Sequence, residues 1–185
     1  MAEKYEIANE LIGKLDRFIR KYYRNRLTRG LLWSITIVAV FFLLSTLSES
    51  LFYFSSTVRT ILFFSFVVLF LFVFIRLILV PLFQLMKIGR RISHDHAARI
   101  IGDHFPEIGD KLINTLQLIG TKGYYDPGSD LLTASIEQKT RSLKVFQFNK
   151  AIDVKNNMKY LRMALAPVAV ILLLMIITPG TVSEP

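Results

Sequence analysis

The sequence predicts an all-α membrane protein with a transmembrane helical hairpin, cytoplasmic amphipathic helices and a third transmembrane helix. Of its 185 residues 52% are hydrophobic and the mean hydropathy is +0.44, yet the formal net charge is +9. Apolar and basic residues in such numbers must be segregated along the chain, which is typical of membrane proteins and not of a soluble domain. The apolar residues are indeed gathered into three long runs.

The three runs differ in how clearly they predict a membrane span. Residues 61–83 are long enough for a hydrocarbon core of about 30 Å. Residues 31–47 are near the short end of the spanning range, and residues 51–54 could extend them past the Ser-Glu-Ser interruption. The third run, 163–177, reaches spanning length only with its flanks in the headgroup region, so the third span is placed at 161–180.

The distribution of Lys and Arg predicts the orientation of these spans. Residues 1–30 and 84–160 are rich in basic residues, whereas the connection 48–60 contains only Arg59. By the positive-inside rule the two basic segments are cytoplasmic, and the connection and the C-terminal tail are outside. The predicted organisation is a basic amphipathic helix at 1–30, a hairpin at 31–83, a cytoplasmic helical segment at 84–160, the third span at 161–180 and the start of an external tail at 181–185.

The first 30 residues predict an amphipathic helix with two interpretations that the sequence leaves open. Its apolar stripe consists of Ile7, Leu11, Leu15, Phe18 and Tyr22. Such a helix lies in an anionic membrane surface or docks against another helix. The residues predicted to meet the membrane surface are Lys14, Arg17, Arg20, Lys21, Arg24, Arg26 and Arg29. No nucleic-acid partner is predicted, because no recognition motif is present and a span follows immediately.

The segment 84–160 predicts three short amphipathic helices. We expect the second span to continue past Pro81 into a helix that ends near residue 104, and Pro106 to begin a second helix that ends near Gly120. A third helix is expected from residue 129 or 130 to about 144, and an extended stretch at 145–148. Three short helices bury too little surface for a large core. Their apolar stripes are therefore expected to meet a partner, with contacts at Ile108, Leu112, Leu116, Leu132 and Ile136.

The three histidines lie within a dozen positions but do not predict a metal site. On a helix His94 and His96 point to nearly opposite sides, and no His-x-x-x-His spacing is present. The chain has no cysteine, which excludes thiolate ligands and cysteine nucleophiles. We expect no catalytic residue, metal or other cofactor. An enzyme would have to use His94, His96, His104, Asp95 and Asp103.

Two stretches resemble a known family. They are "AARIIGDHFPEIGDKLINTLQL" and "DLLTASIEQKTRSLKVFQFNKAIDVKNNMKYL", the second followed by an apolar span. They resemble the N-terminal, three-span region of a family of large Gram-negative inner-membrane proteins of unknown function. The residues that carry the resemblance are Phe105, Pro106, Glu107, Asp110, Lys111, Leu112, Asn114, Leu116, Gln117 and Leu118.

The resemblance implies a multi-pass protein of the bacterial inner membrane, with a cytoplasmic N-terminus and a periplasmic C-terminus, that begins a longer chain. It also implies an association with MoxR-type ATPases or von Willebrand A-domain membrane proteins, besides membrane lipids. The function we predict is a non-enzymatic anchor or scaffold subunit of a multiprotein cell-envelope complex. The alternative is a transport or channel subunit, for which the spans offer mainly Ser34, Thr36, Ser45, Ser65 and Arg76 as polar residues.

Overall fold

The computed structural model describes residues 2–86, 92–120 and 130–177, with the side chains of 2–8, 130–133 and Lys144 outside the described set. The chain divides into two compact units. Unit 1 comprises Met1–Tyr22 and Gly89–Asp153, and unit 2 comprises Tyr23–Ile88 and Val154–Pro185. Most of the described residues are helical and none of them forms a strand, which confirms the predicted all-α class.

Seven α-helices and two short helical segments follow one another along the described chain. They are α1 (Ala2–Phe52), α2 (Ser56–Phe74), a π-helical turn (Ile75–Leu79), α3 (Val80–Leu85), α4 (His94–His104), α5 (Pro106–Gly120), α6 (Asp130–Lys144), a 3₁₀ turn (Phe148–Ala151) and α7 (Asn157–Ile177).

Two predicted boundaries within residues 2–52 are wrong, because α1 is continuous there. The basic helix and the first span are one helix of 51 residues, so no break separates 1–30 from 31–47. The Ser-Glu-Ser stretch at 48–50 also remains helical, because serine and glutamate lower helix propensity too little to end a long helix. The hairpin turn is therefore short, 53–55, and begins at Tyr53 in the left-handed region with φ 45°.

The second arm of the hairpin contains a π-helical turn next to Pro81. Proline has no backbone N–H, so the carbonyl of Leu77, four residues earlier, cannot receive its usual helical hydrogen bond. The N–H of Val80 instead donates to the carbonyl of Ile75, five residues back. Gly30 of α1 packs closely against the π-helical turn. A Cβ at Gly30 would lie 2.1 Å from the Leu77 carbonyl oxygen. A Cα–H of Gly30 thus points at the oxygen that Pro81 leaves without a donor.

Helix α7 is tied to α1 by a polar and aromatic cluster. Arg29 Nε donates to Asn157 Oδ1 at 2.9 Å, and Asn157 Nδ2 donates to Asn25 Oδ1 at 2.6 Å. The Arg29 guanidinium lies 5.5 Å from the ring centroid of Tyr160, whose ring is 6.1 Å from that of Trp33. Because Asn157 is only 8% exposed, its two hydrogen bonds are shielded from water and hold α7 on α1.

Unit 2 exposes most of its apolar side chains. Three helical stretches are long and apolar enough to cross a membrane: Asn9–Phe52, Ser56–Leu85 and Asn157–Ile177. Even large side chains such as Phe63, Phe72 and Ile176 are 62%, 65% and 80% exposed within the described chain. A soluble protein rarely leaves so much contiguous apolar surface uncovered, whereas lipid covers it in a bilayer.

Unit 1 has a core of its own. The α1 residues Leu11, Leu15 and Phe18 are 2%, 0% and 0% exposed. This part of the stripe is therefore covered by protein, which favours docking against a helix over lying in lipid. Tyr22 is half-buried, and the Ile7 side chain lies outside the described set. A contact between helices agrees, because His94 Nε2 of α4 lies within hydrogen-bond distance, 3.0 Å, of Asp16 Oδ1 of α1.

Helices α4 and α5 form a tight pair within unit 1. A Cβ at Gly102 would lie 2.8 Å from the Cα of Gly109, so the two backbones touch where both residues lack side chains. The expected continuous helix 84–104 is wrong, because Ile92 and Ser93 are not helical. Ser93 caps α4, its hydroxyl accepting from the His96 N–H at 3.1 Å.

The remaining expectations for unit 1 are mostly confirmed. The second helix predicted for the segment 84–160 is α5, which begins at Pro106, and the third is α6. The stretch 145–148 forms no strand, because Phe148 begins a 3₁₀ turn and is itself buried. The predicted tail 181–185 lies outside the described residues.

Candidate functional site

Four of the five residues predicted to contact a partner are buried inside unit 1. Ile108, Leu112, Leu116 and Ile136 are 3%, 0%, 9% and 2% exposed. Leu132 belongs to α6, but its side chain lies outside the described set. The apolar stripes of α5 and α6 cover one another and the other helices of unit 1. For the four described side chains, the interpretation as an exposed docking surface is therefore corrected to a role in the core.

The opposite side of α5 is a polar, solvent-exposed surface, here called the α5 outer face. Its five exposed polar residues are Glu107, Asp110, Lys111, Asn114 and Gln117. They recur every three or four positions, so they share one side of the helix. They provide both charge signs and two amides, a combination that suits hydrogen bonding to another polar surface and not the capture of an apolar ligand.

The sequence contained the signal for this face. All five residues belong to the run "FPEIGDKLINTLQL", which also carries the family resemblance. The amphipathic period separates buried Leu112 and Leu116 from exposed Lys111 and Asn114. Hydrophobic periodicity therefore predicted which residues share a side, but it could not tell whether a partner or the chain itself covers the apolar side.

The basic residues of α1 have different roles in the two units. In unit 1, Lys21 Nζ donates to the backbone carbonyl of Asn149 at 2.7 Å, and Arg17 Nε donates to the Gly13 carbonyl at 3.3 Å. Lys14 and Arg17 also line a cleft of about 230 Å³ with residues 146–149.

In unit 2, Arg29 is committed to Asn157 and Tyr160. Arg24 and Arg26 are exposed, as is Arg20 in unit 1. Arg24 and Arg26 lie within two turns of the apolar run that begins at Leu31, a position from which long cationic side chains reach lipid headgroups. The seven predicted membrane-surface residues thus include two, Lys21 and Arg29, that also hold the fold together.

The side chains of the histidine-rich stretch are dispersed in the described part of the chain. His94 pairs with Asp16, and the His104 ring packs edge-on against Phe105 at 4.7 Å. His96, Asp95 and Asp103 are exposed. Among the described residues, no three potential ligands of the His, Asp and Glu types are close enough together to hold a metal ion.

The polar residues of the apolar helices do not line a common path among the described residues. The hydroxyls of Ser34 and Thr36 donate to carbonyls of their own helix, Gly30 at 2.7 Å and Leu32 at 2.9 Å. Ser65 and Arg76 lie on the exposed surface, and Ser45 lines a groove between α1 and α2. Exposure of Arg76 fits a side chain that extends to the headgroups.

The fold defines the class: an all-α membrane protein with three helices that are long and apolar enough to span a bilayer. Comparison with known proteins adds no family, since no family model, curated protein or solved structure matches the chain.

Proposed function

We propose that the protein is a non-enzymatic anchor or scaffold subunit of a multiprotein complex in the bacterial inner membrane. Unit 2 provides the three spans, and unit 1 is a folded helical body on the cytoplasmic side. The observation that carries the proposal is that the two units have different surfaces. Unit 2 exposes apolar surface that suits lipid, whereas unit 1 buries its apolar stripes and exposes a polar helix face.

The orientation in this proposal rests on charge. Basic residues are dense in 1–30 and in 84–160, whereas Arg59 is the only one between Ser48 and Thr60. The positive-inside rule then places the N-terminus and unit 1 in the cytoplasm and the hairpin turn in the periplasm. Residues after the third span begin on the periplasmic side.

The partner surface in this proposal is the α5 outer face. It belongs to a helix whose other side is fixed in the core, so its polar groups are presented on a rigid element. Rigid presentation lowers the entropy lost on binding. The resemblance of this run to the envelope family favours a protein partner of the MoxR-type ATPase or von Willebrand A-domain class.

The test is co-purification of the native, full-length protein in mild detergent with two matched charge reversals. Lys111→Glu changes the α5 outer face, and Arg99→Glu makes the same change on the exposed surface of α4. The proposal predicts stoichiometric envelope partners that are lost with Lys111→Glu and retained with Arg99→Glu. Equal helix content by circular dichroism shows that both variants are folded.

Two results would oppose the proposal in different ways. Partners retained by Lys111→Glu combined with Asn114→Arg would exclude the α5 outer face as the contact. A lone homo-oligomer without other proteins would oppose the scaffold function itself and favour the transport or channel alternative.

A further inference from the structure

A groove opens between α1 and α2 near the hairpin turn of unit 2. Two contacts bracket it. Toward the middle of the spans, the rings of Phe41 and Phe66 lie 5.8 Å apart, and near the turn Arg59 Nε lies 2.7 Å from Glu49 Oε1. Between these contacts the helices leave a space of about 400 Å³. The residues that line it are Phe42, Ser45, Thr46, Glu49, Arg59, Leu62, Phe63 and Phe66.

The groove is apolar toward the middle of the spans and polar near the hairpin turn. Phe42, Leu62, Phe63 and Phe66 lie within the apolar runs of the two spans, so this part faces the hydrocarbon core. Phe42 and Phe63 are 38% and 62% exposed, which leaves the groove open from the side. An open apolar groove at this depth is filled by liquid hydrocarbon, and its volume lies in the range of ligand clefts, roughly 300 to 1,000 Å³.

The end near the turn is polar. The hydroxyl-bearing residues Ser45 and Thr46 line this end. A hydroxyl group both donates and accepts hydrogen bonds. An occupant that brings hydrogen-bonding groups to this end of the groove would gain hydrogen bonds there that a hydrocarbon chain cannot make.

The charges at this end select the headgroup. Glu49 and Arg59 present a carboxylate and a guanidinium side by side, and their side chains remain 41% and 50% exposed. A guanidinium matches a phosphate, and a carboxylate matches a primary ammonium, through charge-assisted hydrogen bonds. A zwitterionic headgroup with both groups satisfies the pair, whereas an anionic headgroup meets a repelling carboxylate.

We propose that this groove binds one phospholipid with an ethanolamine headgroup. An acyl chain lies along Phe42, Leu62 and Phe63, the phosphate accepts from Arg59, and the ammonium donates to Glu49. Choline lipids are disfavoured because a quaternary ammonium has no N–H to donate. The groove shares no residue with the α5 outer face, so the lipid proposal can be tested separately from the scaffold function.

The test uses the full-length protein in nanodiscs that contain equal amounts of phosphatidylethanolamine, phosphatidylglycerol and phosphatidylcholine with identical chains. After transfer to mild detergent, native mass spectrometry counts the lipids that remain bound. The expected result is one ethanolamine lipid per chain, enriched about tenfold over each of the other two. Glycerophosphoethanolamine, which has the headgroup without chains, should not displace it.

Four substitutions, one of them a control, test the groove further. Ser45→Leu fills the groove and should abolish lipid retention, while Ser65→Leu makes the same change on the exposed surface of α2 and should leave it unaltered. Glu49→Gln should keep a bound lipid but lose the preference for ethanolamine. Thr46→Val removes the hydroxyl with little change of side-chain shape and should weaken retention.

The proposal is overturned by bound lipids in the bulk ratio, or by full retention in Ser45→Leu. It is also overturned if the native mass shows two chains without lipid, because a second copy then occupies the groove. Helix content and gel-filtration profiles matching the unmodified protein confirm that each variant is folded.

Discussion

Replacing Gly30 by alanine tests the packing of the hairpin in unit 2. A Cβ at this position would lie 2.1 Å from the Leu77 carbonyl oxygen, about 1.3 Å short of an ordinary contact that begins at 3.4 Å. The obstacle is backbone on both sides, so no side-chain rotation relieves it. The helices must move apart at a point where small residues let them approach.

The expected change in the free energy of unfolding follows from two opposing contributions. Overpacking of this severity costs up to about 3 kcal/mol. Alanine gains roughly 1 kcal/mol over glycine in a helix interior. The net expectation for Gly30→Ala is a loss of about 2 kcal/mol in the free energy of unfolding of unit 2.

Trp33 provides the assay because it is the one tryptophan of the chain and its ring lies 6.1 Å from that of Tyr160. Its fluorescence reports unfolding when mixed micelles are titrated with sodium dodecyl sulfate. Gly13→Ala is the matched control on the same helix, since nothing lies within 4 Å of a Cβ there. Gly30→Ala should unfold at a lower detergent fraction, and Gly13→Ala should not. Equal or greater stability of Gly30→Ala would refute the Gly30–Leu77 contact.

Three further substitutions test the cores of the two units. Leu112→Asp places a charge at a fully buried site and should lower the free energy of unfolding of unit 1 by more than about 3 kcal/mol. Limited proteolysis should therefore cut unit 1 even in samples that still retain their partners. Thr140→Val removes a buried hydroxyl that has no partner in the described structure, and the thermal midpoint should stay equal or rise, corresponding to up to about 1 kcal/mol. Asn157→Leu deprives Arg29 and Asn25 of their bonds to Asn157 and should cost about 1 to 3 kcal/mol in the Trp33 titration. An unchanged proteolysis pattern, a lowered midpoint or an unchanged titration, respectively, would contradict these expectations.

Hydropathy and helix-end signals predicted much of this architecture. The apolar runs placed all three spanning helices, and Pro106 marked the start of α5, because these features depend on local sequence alone. Helix boundaries were less predictable. The Ser-Glu-Ser stretch was expected to interrupt the first span, but tertiary contacts and the length of α1 outweigh its weak local preference.

The candidate surfaces depended on contacts that no single stretch reveals. Leu112 and Leu116 have the pattern of a docking stripe whether the partner is another protein or the chain itself. The groove near Glu49 and Arg59 required knowing that the hairpin turn is short enough to bring these residues together. The Arg29–Asn157 bond joins positions 128 residues apart, which is beyond any periodicity argument.

The central claim, that three spans hold unit 1 in the cytoplasm with the α5 outer face exposed, is tested most directly by cysteine accessibility. The chain contains no cysteine, so Tyr53→Cys in the hairpin turn and Asn114→Cys on α5 each introduce a single thiol. A membrane-impermeant maleimide is applied to spheroplasts before and after lysis. The account predicts that Tyr53→Cys is labelled in intact spheroplasts and Asn114→Cys only after lysis. Labelling of Asn114→Cys in intact spheroplasts, with Tyr53→Cys protected, would contradict it.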